Sequence, residues 1–260
     1  LDAIDDAVAD GLPMRAQVAG RPVGLMLGFE TTLNPFITHP SWREVAPLPL
    51  AEKLFRLRDP AFRARLLGES PAGRNGFIER VLQNFDRLFV LGDPPDYEQP
   101  PERSIGSQAR ASGVAPEALA YDYMLEDEGR GMLYHPFLNY AESNLDASLE
   151  MMSNANTVLG LGDGGAHLGT ICDASFPAYF LSHWTRDRTK DRVPLARAVQ
   201  MLTADAADYL GLTDRGRLQV GQRADINVID YDHLALRPPQ MVQDLPAGGQ
   251  RLLQSATGFS

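Results

Sequence analysis

Thr157 to Leu161 is a short apolar run that leads straight into Gly162-Asp163-Gly164-Gly165-Ala166-His167. Such a run, bounded by turn signals, reads as a buried strand. Glycine at a strand end lets the backbone turn sharply and lets a ligand come close. In a parallel α/β barrel, a carboxylate at the C-terminal end of a strand stands on the catalytic face. An aspartate before Gly-Gly also serves as a turn residue that bonds nearby backbone N–H groups. From these residues alone both roles for Asp163 stay open.

The pattern along the chain sets a context for that strand. Met14–Ala19 and Val23–Leu27 read as buried strands broken by Gly20-Arg21-Pro22, and Asn34–Pro49 reads as irregular. Helices are expected at Leu50–Arg58, Pro60–Leu67 (with proline at a helix-starting position) and Gly76–Phe85, then a short strand at Leu88–Leu91. Further helices are expected at Ser104–Ala111, Pro116–Glu128, Asn144–Met152, Ser175–Arg186 and Pro194–Leu210. Arg223–Asp230 alternates with a period of two and reads as a strand. Strand–helix alternation of this kind favours an α/β fold with parallel strands.

Charge and cysteine content exclude several classes of partner. The 260 residues carry a net charge of −10 with no block of Lys and Arg, so nucleic acid and anionic membranes are poor partners. No apolar run approaches the length that crosses a bilayer. The single cysteine, Cys172, rules out an intrachain disulfide and fits a cytoplasmic location. It has no activating base nearby in sequence and reads as a small buried residue. The first helix has neither an initiator Met nor a capping residue, and Arg251–Ser260 stops where a further strand is due. The chain is expected to be a segment of a longer protein.

Three blocks of sequence carry a resemblance. The first is Ser104-Ile105-Gly106-Ser107 with Gly113–Ala118 and the helix ending Leu125-Glu126-Asp127-Glu128; the second is Gly160 to His167. The third runs from Leu202-Thr203-Ala204 through Leu210-Gly211-Leu212 and Arg215–Leu218 to Ala224–Asp230. In this order and spacing the chain resembles the amidohydrolase superfamily, in particular its N-acyl-D-amino-acid deacylase branch. The resemblance implies an α/β fold: the later part of a (β/α)8 TIM barrel over residues 1–215, with an insertion at about 34–103. Residues 216–260 would return into a small β domain.

The resemblance also implies chemistry. Such enzymes hold one or two divalent metals, usually zinc, and hydrolyse amide bonds; the metal lowers the pKa of a bound water toward neutrality. Asp163 matches the aspartate that touches the metal, takes the water's proton and returns it to the leaving amine. His167 would contact substrate. Arg21, just past a strand end, would anchor a substrate carboxylate bidentately, with a structural salt bridge as the competing role. The expected partner is a small N-acyl amino acid or related amide, and a second copy of the chain or a missing N-terminal fragment is a further expected partner.

The sequence departs from the family pattern in ways that matter. Gly162 stands where serine is common, and the segment from His167 to Phe176 holds no arginine. None of His39, His135, His167, His183 and His233 forms a His-x-His pair, and Asp163 alone cannot hold a zinc that takes three or four ligands. The isolated chain is therefore expected to be inactive unless another polypeptide supplies the missing histidines, and zinc or another divalent metal is the expected cofactor of the complete site. His183 is expected to pack or hydrogen-bond on its helix, His135 to be a satisfied structural residue, with lining the pocket as its other role, and His39 and His233 to lie at the surface or in loops. Two other functions stay open: a binding or scaffolding module with the same fold, and an amidohydrolase acting on cyclic amides.

Overall fold

The computed structural model describes residues 1–71, 76–160 and 165–260. Helix α1 (Asp2–Ala9) leads to β1 (Ala16–Ala19) and β2 (Val23–Gly28). Four helices follow: α2 (Pro40–Val45), α3 (Leu50–Leu57), α4 (Pro60–Leu67) and α5 (Gly76–Leu82). Next come β3 (Phe89–Val90), α6 (Ile105–Ser112), α7 (Pro116–Gly129), β4 (Met132–Leu138), α8 (Asp146–Ser153) and β5 (Thr157–Gly160). The chain closes with α9 (Phe176–Ser182), α10 (Leu195–Leu202), α11 (Ala204–Tyr209) and four short strands. These are β6 (Ala235–Leu236), β7 (Gln240–Leu245), β8 (Gly249–Leu253) and β9 (Ala256–Thr257).

The fold is mixed α/β. Among the described residues one strand pair is parallel, β1 with β5, in the register Ala16↔Thr157 to Ala19↔Gly160. β2, β4 and β3 form a separate antiparallel sheet in the order β2-β4-β3. Side chains alternate across a strand, and here that alternation divides the protein into two cores. Met26 and Tyr134 face a cluster with Val18, Leu159, Phe180 and Trp184. Their neighbours Leu27 and Leu133 face the other way, into a cluster with Phe29, Trp42, Leu57, Leu66 and Tyr121. The sheet is thus a wall between the β1·β5 layer and the helical segment around α2–α5. Burying each large apolar side chain on either face contributes about 1.5–3 kcal/mol.

Two glycines are fixed by packing. A Cβ on Gly20 would stand 2.9 Å from the Phe180 ring, and one on Gly24 would stand 1.9 Å from the Tyr134 ring. Only a hydrogen at these positions lets the rings cross the backbone.

Several elements differ from the sequence reading, each for a local reason. The segment expected to be irregular contains α2, started by Pro40 at the first helical turn with His39 as its N-cap residue. The expected helix at Ser175–Arg186 is regular only to Ser182 and opens into a wider π-turn over His183–Asp187. The expected helix at Pro194–Leu210 breaks at Thr203 (φ −125°, ψ −82°) into α10 and α11. In α7 helical geometry ends at Leu125, because Asp127 and Glu128 take left-handed conformations (φ 47° and 54°). The largest difference is Arg223–Asp230. Ile229 makes one isolated bridge to Phe259, and the rest forms no ladder among the described residues. Ile226 and Val228 are exposed, and the described strand-like pairing of the period-two pattern is confined to residues 228–230 against 258–260.

Candidate active site

The C-terminal ends of β1 and β5 lie side by side, since Ala19 is the register partner of Gly160. The chain leaves β1 through Gly20 into Arg21, and leaves β5 through Gly160 toward Asp163. Asp163 itself, with Leu161, Gly162 and Gly164, lies outside the described residues. The description resumes at Gly165.

Arg21 is almost wholly buried, 1% exposed. Its Nη2 donates to Asp173 Oδ1 at 2.9 Å and to the Cys172 carbonyl at 3.0 Å. Its Nη1 donates to Ser175 Oγ at 3.2 Å and to Gln254 Oε1 at 3.4 Å. The guanidinium stacks 4.1 Å from the centre of the Tyr97 ring, whose hydroxyl accepts from Gln254 Nε2 at 2.8 Å. Arg21 therefore ties the exit of β1 to the segment after His167, to Tyr97 in the connection between β3 and α6, and to Gln254 near the end of the sequence. A buried arginine of this kind needs a carboxylate partner, and Asp173, equally buried, is that partner. Burial pushes the thiol of the adjacent Cys172 up to about 11, so it stays protonated at neutral pH.

His167 is exposed and sits in a left-handed backbone conformation (φ 49°). Its carbonyl accepts from Thr170 N at 2.8 Å and Ile171 N at 3.0 Å, which closes a turn. Its imidazole makes no hydrogen bond to a described residue, and the side chain is exposed. The next three carbonyls are each held by a different element. Leu168 O accepts from Leu252 N (2.8 Å), Gly169 O from Thr32 N (2.9 Å) and Thr170 O from Met26 N (2.7 Å). The Thr170 hydroxyl also donates to Met26 O at 2.9 Å. A turn in an uncommon conformation persists only when its surroundings hold it, and these bonds hold it.

The other histidines scatter. His183 bonds Glu98 at 2.7 Å through Nε2 and stacks on Tyr179 with ring centres 4.7 Å apart. Arg188 grips both oxygens of Glu98 at 3.0 Å, and Leu145 N donates to it at 2.9 Å. Burial acts to raise the pKa of Glu98, but the bonds from His183, Arg188 and Leu145 outweigh it and hold the carboxyl at about 2. His233 is exposed beside Asp230. His39, expected at the surface or in a loop, lies in the loop just before α2 but is buried: its amide donates to Phe36 O and its ring meets the Phe36 ring edge-on at 5.5 Å. His135 is buried on β4, and neither ring nitrogen has a described hydrogen-bond partner. It is therefore not the satisfied residue that its sequence context suggested.

Burial, helped by the nearby Arg87 cation, pushes His135 down to about 4, so it is neutral at pH 7. A histidine with a folded pKa below its unfolded value near 6.5 contributes stability that is complete above pH 6.5. That stability is lost as pH falls toward 4. The expected loss is about 3 kcal/mol across that window. Urea unfolding at a series of pH values checks it: His135→Leu is expected to flatten the slope between pH 6.5 and 4. An unchanged slope assigns the acid sensitivity elsewhere.

No group of three or more His, Cys, Asp or Glu side chains among the described residues is placed to hold a metal ion. The described donors therefore do not fit the divalent metal implied by the sequence. Sequence reasoning also missed Asp173, Tyr97, Glu98 and Gln254. A carboxylate at the end of the apolar Ile171-Cys172 pair was the one available signal, because a charge in such a setting needs a buried partner.

The model of the amidohydrolase family matches residues 3–250, and the chain belongs to that family. It is 31% identical over 118 residues to a 5-methylthioadenosine/S-adenosylhomocysteine deaminase of Halobacterium salinarum, covering 44% of this chain and 27% of that protein. It is 26% identical over 231 residues to an alpha-D-ribose 1-methylphosphonate 5-triphosphate diphosphatase of Escherichia coli, covering 72% of this chain and 60% of that protein. An uncharacterized protein of Mycobacterium tuberculosis is 28% identical over 138 residues, 51% of this chain and 21% of that protein. The matches thus span from about a fifth to three fifths of these relatives' lengths. No solved structure matches the chain at a significant level. No described helix is long and apolar enough to cross a membrane.

Proposed function

We propose that the chain forms the later part of the (β/α)8 barrel of a metal-dependent amide hydrolase acting on small N-acyl amino acids, of the N-acyl-D-amino-acid deacylase type. The observation that supports the reading is the parallel β1·β5 pair, whose last partners are Ala19 and Gly160; in sequence Arg21 follows the first and Asp163 the second. In a barrel the C-terminal ends of the strands are where catalytic groups stand. Asp163 is assigned the proton transfers: it accepts a proton from the attacking water and returns it to the leaving amine. His167, exposed on a braced turn, is assigned a substrate contact. Arg21 is assigned a positioning role, since it fixes the segment after His167 through Asp173. A direct contact of Arg21 with a substrate carboxylate would require that pair to open.

The metal proposed is zinc, with ligands beyond the described residues, and no step above is routed through it. The proposed compartment is the cytoplasm, in keeping with the lone buried thiol. The test is a hydrolysis assay on the whole protein that carries this chain. N-acetyl-D-amino acids are compared with their L forms and with cyclic amides, in wild type and Asp163→Asn. Hydrolysis of the N-acyl substrates that is lost in Asp163→Asn supports the reading. Hydrolysis of none of the N-acyl substrates overturns it, and turnover indifferent to Asp163→Asn overturns the role given to that residue.

A further inference from the structure

Helix α3 turns one side into the helical core, through Leu54 and Leu57, and the other side outward. On the outward side Phe55 is 80% exposed, an unusual setting for a large aromatic ring. Two hollows flank it. One of about 850 Å³ is lined by Leu50, Ala51, Leu54 and Phe55 with Arg58 and Glu128 at its rim. The other, of about 620 Å³, is lined by Leu48, Ala51, Glu52, Phe55 and Arg56. Phe55 is thus a ridge between two depressions, and Ala51, one helical turn before it, is shared by both.

Charge repeats the same spacing. Glu52 and Arg56 are exposed, stand one turn apart on this face and make no ion pair with any described residue. The neighbouring charges differ: Arg58 pairs with Glu128 and Arg65 with Glu44, both at 2.7 Å. A large residue and a small one, and an acid and a base, are therefore each separated by four positions on one face. The first pair is centred on Lys53 and the second on Leu54, so a two-fold axis passing between them brings both pairs opposite their mates to within one residue rise, about 1.5 Å. It sets Phe55 over Ala51 of the second copy, and Glu52 against Arg56 of the second copy, with the two helices antiparallel.

We propose that this face of α3 is a self-complementary docking surface for a second copy of this chain. A two-fold contact uses the same patch on both subunits, which is the arrangement that a knob beside its own hole provides. The ring supplies the buried aromatic anchor typical of interface centres, and the charge pairs at its rim set the register. A stable dimer buries roughly 800 Å² on each partner. The surface proposed is a single helix face with its rims, so the dimer is expected to be a reversible one.

Sedimentation velocity over a wide range of protein concentration tests the proposal. The wild type is expected to shift from monomer to dimer as concentration rises. Phe55→Glu is expected to raise the dimer dissociation constant about tenfold or more, with thermal unfolding unchanged because the side chain is exposed. Glu52→Arg and Arg56→Glu are each expected to weaken the dimer, and the double exchange to restore it. A monomer at every concentration overturns the proposal. So does a dimer indifferent to Phe55→Glu, or one that the double exchange fails to restore.

Discussion

Arg21→Met is expected to lower stability by about 3–5 kcal/mol, because it removes the guanidinium that pairs with the buried Asp173 carboxylate. Asp173 is as buried as Arg21, and desolvated charge is tolerated only while it is paired. The loss has further parts: the cation over the Tyr97 ring and the donors to Ser175 and Gln254 disappear together. For a chain of this size the melting temperature should fall by roughly 6–20 °C. Urea or thermal unfolding of the purified protein measures it. The double change Arg21→Met with Asp173→Leu should recover much of the loss, because it removes both charges rather than one. Equal losses in the single and double variants would mean that packing, and not the ion pair, carries the effect.

Asp163→Asn is expected to reduce kcat by roughly 10²–10⁴-fold with little change in KM, as removal of a general base does. The carboxamide keeps the size of the side chain but cannot take a proton from water. Steady-state kinetics on the best N-acyl substrate, with unfolding curves as a control, measure the effect. A variant that keeps near-wild-type kcat would show that Asp163 is a turn residue of the glycine-rich loop. His167→Asn provides the contrast: asparagine tolerates the left-handed backbone that His167 adopts. It is expected to raise KM while leaving stability near that of the wild type, if the imidazole holds substrate.

Much of the scaffold was legible because it is local. The apolar runs of β1, β2 and β5 and the proline-started α4 announce themselves within a few residues. What escaped the sequence depends on partners far away. Period-two alternation at Arg223–Asp230 says which side chains would share a face, but a ladder also needs a neighbouring strand. Among the described residues its strand-like pairing is only with the end of the chain: Ile229 bridges Phe259, Asp230 N donates to Gly258 O and Ser260 N donates to Val228 O. The breaks at Thr203 and in the turn after Ser182 lie inside good helical patterns, and tertiary packing overrides propensity there. The burial of His39 follows from aromatic neighbours that fold over it.

The site was legible to a similar limit. The placement of Arg21 at the exit of a buried strand was readable from Gly20-Arg21-Pro22. Its partner stands 152 residues later, and no local pattern links the two. The competing roles for Arg21 could be weighed only once Asp173 was seen beside it. The glycine-rich segment announced Asp163 and His167 together, whereas the bracing of His167 comes from three elements that sequence spacing cannot connect.

That bracing has a consequence for motion. Successive carbonyls at Leu168, Gly169 and Thr170 are clasped by amides from the terminal hairpin, from the turn after β2 and from β2 itself. To swing the His167 turn away, all of these bonds must open together. The amides of Leu252, Thr32 and Met26 should therefore exchange their hydrogens with heavy water as one cooperative unit. A ligand that settles on His167 would slow all three, in segments more than 200 residues apart along the chain.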